Sequence, residues 1–104
     1  MEIEVKVSNL SKEDIVCILA AAFSGTWWVN DESIEDLAIS LLKGKRIKLI
    51  YFEDSEKYIL SLNNLRKGIE LFIKNGGSTN ISNYDSSDGN RIIQYSLFGA
   101  LIFD

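Results

Sequence analysis

The sequence predicts a single α+β domain over residues 1–104, with a mostly antiparallel sheet of about four strands packed by about four helices. Three observations predict it. The chain opens on strict apolar–polar alternation, the period of a strand with one buried face. Further on, apolar residues recur at helical spacing behind side-chain caps. Strands and helices also fail to alternate regularly enough for a doubly wound parallel sheet. With 104 residues and 46% apolar side chains, one core can form without a metal or disulfide staple.

The first strand is expected at Glu2–Ser8, where Ile3, Val5 and Val7 share one face. Ser11 and Asp14 then form a capping box, and Ile15, Ile18, Leu19, Ala22 and Phe23 make a helical stripe that Gly25 ends. The loop Gly25–Asp31 holds both tryptophans. Adjacent large aromatics cannot both point inward along one direction, so either both roof the core or one is presented at a cleft or interface. Ser33 and Asp36 repeat the capping pattern before a stripe of Ile34, Leu37, Ala38, Leu41 and Leu42, with Gly44 as the stop. Lys43, Lys45 and Arg46 follow, where cations complement the helix dipole.

Arg46–Glu53 and Lys57–Ser61 flank a polar turn and read as a β-hairpin. Ser61 caps a third helix with a stripe of Leu62, Leu65, Ile69, Phe72 and Ile73, ending at Asn75-Gly-Gly77. Gly68 inside it costs about 1 kcal/mol against alanine, which close approach of a neighbouring backbone or of a ligand would explain. Ser78–Asn90 is polar and rich in breakers, an internal loop with Ile81 and Tyr84 to pin its middle. Asp85 and Asp88 cap the last helix, Gly99 stops it, and Leu101, Ile102 and Phe103 have the character of a final buried strand.

The net charge of −4 argues against direct nucleic-acid binding through a basic patch. The one cysteine, Cys17, lies in an apolar run and suits a core position in a reducing cytoplasm. The start of the chain lacks the basic and apolar blocks of a signal peptide, and no apolar run approaches the ~20 residues that span a bilayer.

Chemistry is marked mostly by absences. Without histidine the commonest general base and transition-metal ligand is missing, and one cysteine cannot hold zinc. No phosphate loop of the Walker or dinucleotide type is present. Asp31/Glu32 and Glu53/Asp54/Glu56 read as solvated turn residues before they read as metal or paired-carboxylate sites. The expectation is therefore no enzyme, no catalytic residue, no metal and no cofactor. Non-covalent binding remains: Trp27 and Trp28 can stack on a base, and Arg66, Lys67 and Arg91 can meet phosphates. Gln94 is expected beside Arg91 on one face of the last helix. An apolar fraction of 46% with paired tryptophans also predicts a homo-oligomer.

Ser24-Gly-Thr-Trp-Trp28, Leu60–Ile69, and Asp88 with Arg91-Ile-Ile-Gln-Tyr-Ser-Leu-Phe-Gly99 together resemble a group of small acidic phage and prophage proteins of Firmicutes. The likeness covers nearly the whole chain, and Gln94-Tyr-Ser-Leu-Phe-Gly99 is its most specific piece. This chain departs from the group in Ser96, where alanine is usual, and Ala100, where an acidic residue is usual, so no acidic role carries over to that position. The resemblance implies a phage accessory protein of the host cytoplasm that counters host defence. One mechanism is an oligomeric sponge for a small nucleotide immune signal; another is an acidic surface that blocks a host defence protein, as an anti-CRISPR does. A phage structural or assembly role is a third.

Overall fold

The computed structural model describes residues 9–25 and 27–103. The expected strand at Glu2–Ser8 lies outside them. The order is α1 (Lys12–Ser24), β1 (Trp28–Val29), α2 (Ile34–Leu42), β2 (Ile47–Tyr51), β3 (Lys57–Leu60), α3 (Leu62–Lys74), a 3-10 turn (Ile81–Asn83) and α4 (Ser86–Phe98). The chain is α+β.

Each helix begins where a side chain can satisfy its free amides. Ser11 and Asp14 close a reciprocal capping box on α1, at 3.1 and 3.2 Å, and Asp85 and Asp88 do the same on α4, at 2.8 and 3.1 Å. Ser33 caps α2 and Ser61 caps α3, each hydroxyl accepting an amide hydrogen bond at 3.2 Å. Gly99 ends α4 with φ +72°, the left-handed geometry that lets its amide reach the Tyr95 carbonyl.

Among the described residues the sheet has three strands in the order β1-β2-β3, all antiparallel. Trp28 pairs with Tyr51, and Ile47 with Leu60. This departs from the expectation twice. β1 forms inside the supposed tryptophan loop; two residues are too few to show alternation, and their partner strand supplies the order. The supposed final strand is absent, because the Gln94 side chain, and not a neighbouring strand, takes the Ile102 and Phe103 amides. Leu101 and Ile102 are exposed, so the apolar chain end is buried only through Phe103, which is half-buried and stacks on Tyr51 at 3.9 Å between ring centres.

The helices cover one sheet face, where Trp28, Leu49, Tyr51 and Leu60 meet Ile15, Leu19, Leu37, Leu65, Ile69 and Ile92. Leu42, expected in the α2 stripe, is 42% exposed. Gly68 sits where a Cβ would meet the Ser96 hydroxyl and come within 2.7 Å of the Ile92 carbonyl, so the anomalous glycine is a packing residue between α3 and α4. Gly89 plays the same part between α4 and α1: a Cβ there would lie 2.6 Å from the Ala21 carbonyl carbon. These two contacts draw the three long helices together. None of the described helices is long and apolar enough to cross a membrane.

Candidate functional site

The six residues expected to bind a ligand do not converge. Trp28 is 1% exposed at the centre of the core. Its indole Nε1 donates to Asn90 Oδ1 at 2.8 Å, and its ring lies edge-on to Tyr51, Tyr58 and Phe103. An indole so enclosed, with its polar handle already used, cannot stack on a base unless the core opens. Trp27 is half-buried; its ring lies over Gly25, where a Cβ would overlap it, and its carbonyl accepts from the Phe52 amide at 2.8 Å. It roofs the core at the sheet edge.

Gln94 and Arg91 part company despite their spacing. Gln94 is 1% exposed, and its Oε1 accepts from the amides of Ile102 and Phe103, both at 2.8 Å. Arg91 is exposed. Three residues on a helix subtend about 300°, so neighbouring positions can straddle the line between core and solvent. On α3, Lys67 is exposed, whereas Arg66 is half-buried with its Nε shielded from water and without a hydrogen-bond partner.

Of the expected residues, Arg91 borders a concave site. A cleft of about 160 Å³ opens between the end of α3 and the outer side of α4, lined by Phe72, Asn75, Gly76, Gly77, Arg91, Tyr95 and Leu101. Its shape follows from local sequence. Gly76 has φ +95°, and a Cβ on Gly77 would come within 2.6 Å of the Phe72 ring, so the Gly-Gly pair lets the chain turn flat against that ring. The amides of Asn75, Gly76 and Gly77 are spent on the carbonyls of Leu71, Ile73 and Phe72. Those carbonyls are thereby engaged, and the C-terminal end of α3 gives one side of the cleft a partial negative charge. Arg91, facing it from α4, supplies up to five donors and a fixed positive charge. Tyr95, one turn further along α4, adds an aromatic ring and a phenol.

Sequence reasoning located Arg91 but not its surroundings. The Arg91/Tyr95 spacing of four was a readable signal for a shared face, and Gly76-Gly77 was noted only as a helix stop. Asn90 carried no signal, because a polar residue in a breaker-rich stretch does not announce a buried partner 62 positions earlier.

The tyrosines elsewhere are perturbed. Burial pushes the Tyr51 and Tyr58 phenols above their ordinary value, and the acidic hairpin turn adds to this through Glu53 and Asp54 for Tyr51 and through Asp54 and Glu56 for Tyr58. Tyr84 is raised by burial and by Asp88; its hydroxyl donates to the Ser78 carbonyl at 2.6 Å, and its ring meets Phe72 edge-on. Ile81 and Tyr84 thus pin the polar loop as expected. Among the described residues no group of three or more His, Cys, Asp or Glu stands ready to hold a metal ion. Neither a family model, nor a curated protein, nor a solved structure matches the chain.

Proposed function

We propose that the chain is a phage accessory protein that counters host defence by binding a small nucleotide-type signal without catalysis, and that the ligand sits at the α3–α4 cleft. The observation that carries this is the placement of Arg91 and Tyr95 one turn apart on the α4 wall of the cleft. A guanidinium takes a phosphate in fork geometry, and an aromatic ring takes a sugar or base face. The residues lining the cleft include no carboxylate and no thiol, which favours holding over reacting. Pockets for drug-sized ligands run to about 300–1,000 Å³, so a cleft of about 160 Å³ encloses only part of a nucleotide. Trp28 and Gln94 act by holding the fold. The likeness of Gln94–Gly99 to phage and prophage proteins supports the accessory role, and the unpaired Cys17 suits the host cytoplasm.

Thermal unfolding against a panel of nucleotides and cyclic nucleotides tests the proposal. A compound bound by the native state alone at 100 times its Kd adds about 2.7 kcal/mol. That gain should vanish in Arg91→Ala. A second reading, direct blocking of a host protein, draws on the exposed carboxylates Glu13, Asp31, Glu32, Glu35 and Asp36, with Lys12 linking α1 to Glu35 of α2 at 4.0 Å. It takes over if no compound in the panel shifts the transition.

A further inference from the structure

Residues 101–103 have no regular secondary structure, and Leu101 and Ile102 are exposed, yet the segment holds a fixed place beside α4. The left-handed Gly99 turns the chain back at the helix end, so that Leu101 reaches the cleft bordered by Arg91 and Tyr95. Two anchors keep it there. Gln94 Oε1, on the buried side of α4, accepts from the amides of Ile102 and Phe103 at 2.8 Å each, and the Phe103 ring stacks on Tyr51. A carbonyl oxygen has two lone pairs, and here both are used on successive amides.

The consequence falls on the cleft. Arg91, Gln94 and Tyr95 stand on one helix, Arg91 and Tyr95 toward the cleft and Gln94, 1% exposed, toward the interior. A side chain too buried to touch a bound molecule thus holds the residues next to Leu101, the one aliphatic side chain among those that line the cleft. A segment with little buried surface of its own opens at lower free energy than the core that carries it. Without the Gln94 oxygen its amides would turn to water, and Leu101 would leave the wall.

We propose that Gln94 is a positioning residue for the cleft and that residues 101–103 are a strap that closes it. With both amides held, Leu101 offers an apolar surface to the sugar or base of a nucleotide whose phosphate lies at Arg91; with them released, that wall is gone. This rests on the reading of the cleft as a nucleotide site. Because only the closed strap supplies the Leu101 contact, nucleotide binding and strap closure favour each other.

The test is equilibrium binding of the monophosphates and cyclic monophosphates of adenosine, guanosine, cytidine and uridine to the full chain. Amide hydrogen exchange at Ile102 and Phe103 is followed alongside, with circular dichroism to show that each variant is folded. Gln94→Met, close in length but without an acceptor, should speed exchange at both amides and weaken the tightest of these nucleotides about tenfold, the size expected from losing one or two hydrogen bonds. Leu101→Ser should weaken it comparably while Tm and exchange in the free protein stay unchanged, and it remains decisive if Gln94→Met does not fold. The double variant should bind no worse than Gln94→Met alone, since an open strap has no Leu101 contact left to lose. In the wild type, saturation with that nucleotide should slow exchange at Ile102 and Phe103. Unchanged exchange or affinity in Gln94→Met, unchanged affinity in Leu101→Ser, or additive losses in the double variant would each overturn the inference, while loss of binding in Arg91→Ala would leave the reading of the cleft standing. Binding of none of these nucleotides by the wild type would remove both.

Discussion

Asn90→Ala removes the one polar partner of the buried Trp28 indole, and its effect can be worked from the structure. The bond is 2.8 Å long, Trp28 is 1% exposed and Asn90 7%. An intramolecular hydrogen bond contributes about 1 kcal/mol net, but a buried N–H left without a partner costs about 1–3 kcal/mol. Because no water reaches this indole, the larger range applies, and loss of the asparagine side chain from a packed site adds to it. A destabilisation of about 2–3 kcal/mol is expected, which lowers Tm by roughly 10–20 °C in a domain of this size. Trp28→Phe should cost a similar amount, since it strands the Asn90 oxygen and shortens the ring. Urea unfolding of both single variants and the double variant closes a thermodynamic cycle. The two residues should couple by more than about 1 kcal/mol, where independent sites add to within about 0.5 kcal/mol. Additive effects would show that Trp28 is not locked to Asn90, and the exclusion of Trp28 from ligand binding would fall with them.

Gly89→Ala should destabilise despite the gain of about 1 kcal/mol in helix propensity, because the new Cβ meets the α1 backbone and overpacking against atoms that cannot rotate away costs about 1–3 kcal/mol or more; a rise in Tm would refute the α1–α4 contact. Alkaline pH should weaken the fold. The Tyr51, Tyr58 and Tyr84 phenols sit above 10.0 when folded, so the native state holds their protons more tightly than the unfolded chain does. Their contribution is complete below about pH 10, the unfolded value, and is lost as pH rises beyond it through the higher native values. Urea midpoints measured from neutral pH upward should fall across that range and fall less in Tyr51→Phe; a flat profile would contradict the burial of these rings.

The helices were legible in the sequence because their signals are local. Ser11 with Asp14, Ser33, Ser61, and Asp85 with Asp88 each lie within one turn of what they cap. Gly68 could be read as an anomaly whose cause waited on the structure. The sheet was less legible. β1 has two residues, and its strand character comes from pairing with Ile50 and Tyr51, more than twenty positions away. The C-terminal segment looked like a strand because Leu101-Ile-Phe103 is apolar, yet its amides are taken by one glutamine side chain. The candidate site was the least legible part. Trp28 and Gln94 looked like ligand contacts because aromatic and amide groups serve equally well in recognition and in core networks, and only burial tells the two apart. Arg91 was identifiable as a candidate, but its cleft depends on how the Gly76-Gly77 turn folds onto Phe72.

A backbone amide titration of the labelled protein, using the nucleotide that gives the largest thermal shift, tests the central claim most directly. The account predicts saturable changes concentrated at Phe72, Gly76, Gly77, Arg91, Tyr95 and Leu101, with the Trp28 indole signal unmoved. Changes centred instead on Trp27 and Trp28, with Arg91 and Tyr95 silent, would contradict it.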